Sequence, residues 1–398
     1  MVSSVATQPM HRLARLETGA VPPALVEYPV KPINSAERGY HSWATLAASR
    51  GTLPFTFPNW VATYLTHIEP GQRTQILLGT TSNGIVSALP LIRDRGRMCG
   101  LPVRRLRPPA AIAVPDRFDL TVAAGYADGA ADGLLTHLQS RRDWDVLELV
   151  DLPDDGPGAR LAMLAGQAGF SVGMRQSRAT PYISLDGNLD RPGDTGSKFL
   201  ANLRRRRRNL EKLGEVRLVR TENNDPDRFM RFLELEHSGW KGRNGTSILS
   251  NRADTDYHRE IARLAAESGH LALYSLELNG EPIAMHFGLM IGNRYSVPKL
   301  AFAEHMHEYA PGHLLVWDIL RDLTARGARE FDFLGNQMPW KREWTQRCRI
   351  QHRVHIFNRT LAGQAAYRLR YGVAPLARDA WLAAGARRRS LVTSGGSK

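Results

Sequence analysis

Apolar and polar positions follow their clearest rhythm between Leu271 and Leu334. Residues 271–278 form an apolar and aromatic run that ends at Asn279-Gly280, a pair that tolerates the positive φ of a two-residue hairpin turn. Residues 282–291 return, Gly292-Asn293 supplies a second turn, and residues 294–302 follow, so the pattern predicts a three-stranded antiparallel meander. After Pro311 the period becomes helical. Leu315, Val316, Ile319, Leu320 and Leu323 share one face, and Gly327 stands where a C-terminal cap belongs. Residues 330–334 predict the next strand.

The first half echoes the second. Residues 75–81 and 85–92 read as strands joined by Ser82-Asn83-Gly84, residues 128–140 as a helix, and residues 144–149 as an apolar strand closed by Asp151-Leu152-Pro153. A helix over 158–168 and a long strand over 171–185 complete it. The repetition predicts two related α/β domains. Residues 186–197 are dense in Gly, Asp and Pro without an apolar period, which marks a linker. The resulting division is a flexible N-terminus over 1–24, a first domain over 25–185, the linker, a second domain over 198–360, and a helical, basic tail over 361–398 that contains Arg387, Arg388 and Arg389.

Composition narrows the classes. The 398 residues are 42% hydrophobic, enough for two cores. Cys99 and Cys348 cannot build a disulfide framework or a four-thiolate metal site, so a reducing compartment, a cytoplasm, is expected. Arg12 and Arg15 precede no apolar core, and no run reaches the roughly 18 residues of a membrane helix, so neither a cleaved signal nor a span is expected. The net charge of +14 is gathered in arginine clusters, the densest being residues 204–208. They fall in a predicted helix over 198–213, where Phe199, Leu203, Leu210 and Leu213 can share a face. Five consecutive arginines circle a helix, either as a solvated face of ordinary ion pairs or as an anion-binding surface. No zinc finger, RNP-type aromatic motif or helix-turn-helix accompanies them, which argues against a dedicated DNA or RNA reader.

The meander, helix and strand over 271–334 resemble the core of the GNAT acyltransferases, in which the helix after the fourth strand turns its N-terminus towards the pyrophosphate of coenzyme A. Helix physics independently supports an anion there, because the first amides lack partners and sit at the positive end of the dipole. Those amides would come from Gly312, His313 and Leu314, with Gly312 letting the ligand approach the backbone. A closer resemblance lies in Leu235-Glu236-His237-Ser238-Gly239-Trp240-Lys241-Gly242-Arg243, Gly245-Thr246, Tyr309-Ala310-Pro311-Gly312, Phe331-Asp332-Phe333-Leu334-Gly335 and Pro339-Trp340-Lys341. This succession resembles the CelD-type acetyltransferases, a family named for an association with cellulose biosynthesis and similar in fold to the Fem-type peptidyl transferases. It covers residues 199–349 well and residues 55–106 more loosely. The implied fold is α/β, with two tandem GNAT-like domains of mixed sheet flanked by helices. The implied activity moves an acyl group, acetyl first, from acyl-CoA to an amine of a small-molecule or saccharide-related acceptor. The family name does not make cellulose the pathway.

Direct attack of an amine on a thioester requires loss of a proton, a fixed approach, and donors near the carbonyl oxygen. Glu304 is the first candidate base, since its place in the family pattern is usually acidic and desolvation in a cleft raises a carboxylate pKa; Asp332 is the second. Glu236, Trp240, Lys241, Lys299, Trp340 and Lys341 are the candidate substrate-binding residues; an aromatic beside a cation suits a ligand with a flat and an anionic part, or a core tryptophan whose lysine neighbour reaches solvent. His286, His305, His307 and His313 lack the spacing of a zinc site, so no metal is assigned, and Cys348 has no partner that would make it a nucleophile. Two alternatives remain: a Fem-type transferase drawing on aminoacyl-tRNA, and a non-catalytic accessory protein of envelope polysaccharide assembly.

Overall fold

The computed structural model of the chain describes residues 24–29, 38–49, 54–109, 118–185 and 194–373. The predicted N-terminal segment before residue 24, linker residues 186–193 and the tail from residue 374 lie outside the described residues. In the first half, β1 (Ala24–Pro29), α1 (Arg38–Ser49) and α2 (Pro58–His67) precede β2 (Arg73–Thr81), β3 (Gly84–Met98), β4 (Leu101–Arg107) and the short β5 (Thr121–Val122). Then come α3 (Ala127–Gln139), β6 (Val146–Pro153), α4 (Pro157–Gln167) and β7 (Ser171–Ser184). The second half holds α5 (Ser197–Glu211), β8 (Val216–Thr221), α6 (Pro226–Ser238), α7 (Trp240–Arg243), α8 (Arg252–Glu267), β9 (Leu271–Leu278), β10 (Glu281–Ile291) and β11 (Arg294–Phe302). It closes with α9 (Pro311–Ala325), β12 (Glu330–Asp332), α10 (Pro339–Arg342), β13 (Cys348–Phe357) and α11 (Leu361–Tyr367).

The predicted meander is present with its turns. Asn279 and Gly280 both take positive φ, 53° and 85°, and Ile291 pairs Arg294 across Gly292 and Asn293. The same plan recurs in the first half: β2, β3 and β4 run antiparallel, α3 crosses over, and β6 joins parallel to β4, as β12 joins parallel to β11 after α9. All these strands share one mixed sheet in the order β1-β2-β3-β4-β6-β13-β7-β12-β11-β10-β9-β8, with β5 beside β3. One apolar layer, from Trp43, Trp60, Phe232 and Tyr257 to Phe287 and Leu334, runs under both halves. On the opposite face, α3 and α4 cover the first half, while α5 and α9 cover the second.

Several sequence expectations need correction. The strand β13, inside the expected second domain of residues 198–360, lies between β6 and β7 in the sheet of the first half, so the linker over 186–197 does not divide the chain into two separate sheets. Its polar, basic sequence hides a central strand. Asn358 locks it in place: its side-chain amide donates to the carbonyls of Arg141 and Trp144, both at 3.0 Å. The strand β3 runs on to Met98, past its predicted end at residue 92, because Arg105 and Arg107 of β4 pair with its Asp94. The turn between them is Cys99-Gly100, with φ of 49° and 84°, a pair that carries no ordinary turn signal. In α5 the buried positions are Leu200, Leu203 and Leu210, whereas Leu213 falls beyond the helix and is exposed. The strand β12 stops at Asp332 rather than residue 334, where Leu334 takes φ of 49°.

Candidate active site

The parallel pair β11 and β12 holds register only from Arg294 opposite Glu330 to Ser296 opposite Asp332. From Val297 onward the two chains part. β11 continues to Phe302, paired on its other side with β10, while Phe333, Leu334 and Gly335 leave on the far side of the gap. A cavity of about 420 Å³ fills this opening, walled by residues 297–302 and 333–335 and lined also by Glu236, Trp240 and Lys241. A second cavity, of about 290 Å³, lies between β10, β11 and the start of α9, against Gly312 and His313. Leu300, Phe302 and Trp340 line both, so they adjoin across the parted strands.

Helix α9 begins where expected, with Pro311 in its first turn and Ala310 as N-cap in a left-handed conformation, φ 51°. The Leu314 amide donates to the Ala310 carbonyl at 3.0 Å, so it is committed within the helix and removed from the predicted anion cradle. Gly312 and His313 are the amides with no carbonyl one turn earlier. A Cβ on Gly312 would meet only the Phe302 ring, at 3.7 Å, so the position tolerates a side chain but projects it towards the cavity. The His313 ring is neutral at pH 7: burial, then the nearby Arg206 charge, pushes its pKa down to about 4. Its Nδ1 accepts the indole N–H of Trp344 at 3.1 Å.

The Gly-Trp-Lys-Gly segment makes the short α7. Gly242 is required there, since a Cβ would stand 1.8 Å from the His237 carbonyl oxygen. Glu304 fastens α7: its Oε1 accepts the Trp240 amide and its Oε2 the Arg243 guanidinium, both at 2.7 Å. These two donors, Arg243 foremost, hold its pKa below the usual carboxylate range. The expected upward shift by desolvation is therefore absent, because Glu304 stands at the exposed rim rather than within the cleft. Asp332 is fully buried; it accepts the Leu334 amide at 3.0 Å, faces Arg349 at 3.3 Å, and lines neither cavity. It tethers β12 to β13, so geometry takes it out of reach of a reacting amine.

Trp240 is half exposed at the rim. Lys241 donates to Glu236 Oε1 at 2.7 Å and to the Leu300 carbonyl at 3.2 Å, while Glu236 Oε2 accepts the Ile248 amide at 2.9 Å. Lys341 is buried and donates to the carbonyls of Leu334 at 2.5 Å and Asn336 at 3.1 Å. Both lysines thus brace the walls of the opening: Lys241 holds β11 and Lys341 the chain leaving β12. Lys299 lines the larger cavity, and Trp340 stands between the two, packed on His313 and Phe333. The arginine run is partly paired within the fold. Arg207 pairs with Glu211 and Asp318, Arg206 donates to the carbonyls of His307 and Glu308 just ahead of α9, and Arg205, with Lys198 and Arg342, lines an open groove of about 860 Å³.

Sequence reasoning weighed His286 only as a metal ligand; it lines the smaller cavity, and its buried Nδ1 has no hydrogen-bond partner. Alternation along β10 held the signal, since Met285 and Phe287 pack under α6 and α8 and leave His286 facing α9. Among the described residues, no group of three or more His, Cys, Asp or Glu could hold a metal ion, and no helix is long and apolar enough to cross a membrane.

Residues 197–342 match a family model described as an acetyltransferase (GNAT) domain. No curated protein matches the chain. Among solved structures, FemX is 13% identical and superposes with a TM-score of 0.56 over 83% of this chain and 98% of that one. A conserved protein of unknown function from Bacteroides thetaiotaomicron VPI-5482 is 14% identical, with a TM-score of 0.50 over 82% and 99%. A tandem GNAT protein from the clavulanic acid biosynthesis pathway is 15% identical, with a TM-score of 0.42 over 83% and 98%. At these identities the likeness is one of fold. The chain is α/β, a large mixed sheet flanked by helices, with the same strand and helix order in each half and the match to a GNAT acetyltransferase domain model in the second.

Proposed function

We propose that the protein is an N-acyltransferase that moves an acyl group, acetyl first, from acyl-CoA to the amine of a small-molecule or saccharide-related acceptor by direct attack. The parting of β11 from β12, with the start of α9 across the opening, carries this reading. The pyrophosphate rests on the Gly312 and His313 amides at the positive end of α9. The thioester arm crosses the gap past Leu300, Phe302 and Trp340. The acceptor enters from the α6–α7 side, where Glu304, held ionised, attracts its ammonium group and Trp240 offers a flat face. The ammonium gives its proton to solvent, the free amine forms the new C–N bond, and the C–S bond breaks to release the thiolate of coenzyme A, which takes up a proton. No enzyme nucleophile is needed; burial raises the pKa of Cys348, which suits a passive thiol.

A second reading, a polyanionic donor such as aminoacyl-tRNA, draws its support from the open groove where Lys198, Arg205 and Arg342 outnumber Asp194 and Glu343, and from the fold likeness to FemX. Incubating the full chain with acetyl-CoA and a panel of amines, and following release of free thiol, separates the two. Thiol release insensitive to RNase supports the acyl-CoA reading. Transfer that requires charged tRNA and is abolished by RNase supports the other.

A further inference from the structure

Two large apolar side chains at the larger cavity keep about half their surface uncovered by the fold. Trp240 is 51% exposed, the one exposed tryptophan among the described residues, and Met338 is 47% exposed; both line that cavity. They come from different walls, Trp240 from α7 and Met338 from the chain that leaves β12 for α10. Each stands on a fastened backbone. The Trp240 amide donates to Glu304 at 2.7 Å, and the Met338 carbonyl accepts the Lys341 amide at 3.0 Å as α10 begins. Leaving such surface in water is unfavourable, and a ligand that covers it gains the difference. The rest of the lining limits what that ligand is. Val297, Leu300, Phe302 and Phe333 make the wall mainly apolar. Its charged members are engaged: Glu236 with Lys241 and the Ile248 amide, Lys341 with two carbonyls, and Lys299 is not without a partner. Sugar hydroxyls would leave water for walls with few groups to receive them, whereas a flat apolar body loses nothing by the exchange. Glu304 has more acceptor sites than its two donors fill, so it can take an ammonium at the same rim.

We propose that Trp240 and Met338 set acceptor specificity, gripping the body of an amine whose carbon skeleton is apolar, aromatic before aliphatic, rather than a sugar. The inference rests on the acyl-CoA reading and narrows its acceptor class. The test is calorimetric titration of the full chain, saturated with coenzyme A, with 2-phenylethylamine and with glucosamine. The aromatic amine should bind about tenfold more tightly. Trp240→Ala and Met338→Ala should each weaken it about fivefold by removing apolar contact, with coenzyme A affinity kept within about twofold. Trp240→Phe and Met338→Leu should recover most of the loss. Glucosamine bound as tightly as the aromatic amine, no binding of the aromatic amine, or alanine variants that leave it unchanged or weaken coenzyme A equally would each overturn the proposal. Tighter binding of decanoyl-CoA than of acetyl-CoA, lost in the same variants, would give these two faces to a long acyl chain and overturn it too. Should the variants not fold, the ranking of the two amines on the wild type decides the acceptor class. Failure of the wild type to bind coenzyme A at all would instead remove the acyl-CoA reading, and this inference with it.

Discussion

Replacing Gly312 by valine separates the start of α9 as a ligand site from its role as an ordinary helix end. The fold should tolerate the change. The new Cβ meets only the Phe302 ring, at ordinary van der Waals distance, and Gly312 does not have positive φ. The intrinsic helix preference changes by less than about 1 kcal/mol. Binding should suffer much more. Two amide hydrogen bonds to a charged phosphate oxygen are worth ~1.5–3 kcal/mol each, and the helix dipole adds roughly 0.3–1 kcal/mol. A branched side chain that holds the phosphate away from the amides should forfeit about 3 kcal/mol, on the order of a 100-fold loss of affinity. Calorimetry with coenzyme A reads this directly, and the denaturant midpoint of the same preparations checks the fold. A folded Gly312→Val protein with wild-type affinity would refute the reasoning.

Three further outcomes are expected. Stability should fall as pH drops below 6.5, because burial lowers the pKa of His258 and His286 to about 3 and of His313 to about 4, so the unfolded chain takes up protons that the folded one refuses. Each contributes up to about 1.4 kcal/mol per pH unit until its folded pKa is reached, and denaturant midpoints that stay flat from pH 6.5 to 4.5 would contradict this. Lys341→Met keeps the buried stem but strands the Leu334 and Asn336 carbonyls; it should cost about 2–4 kcal/mol in urea unfolding, and a change within experimental error would show that the ammonium does not brace the cleft wall. Asn358→Ala should cost about 2–5 kcal/mol by unpairing the Arg141 and Trp144 carbonyls, and an unchanged midpoint would mean that β13 is held by its ladder alone.

The sequence disclosed what local chemistry decides. Asn279-Gly280, Gly292-Asn293 and Pro311-Gly312 each impose a backbone geometry by themselves, so the meander and the start of α9 fall where the pattern puts them. The position of β13 depends instead on contacts more than two hundred residues apart, such as Asn358 with Trp144, and nothing local marks them. The candidate site divides the same way. The amides of Gly312 and His313 follow from the helix start, but the roles of Glu304, Lys241 and Lys341 depend on which partner each charge meets in three dimensions. A carboxylate expected to gain basicity by burial proves to be clasped by Arg243. Two lysines expected to meet substrate hold the walls it would enter between.

The central claim is that the donor lies across the parted strands with its phosphates on α9. A crystal structure of the protein soaked or co-crystallised with coenzyme A tests it most directly. The account predicts pyrophosphate oxygens on the Gly312 and His313 amides and the thiol end between residues 297–302 and 333–335; coenzyme A bound elsewhere, with that opening empty, would contradict it.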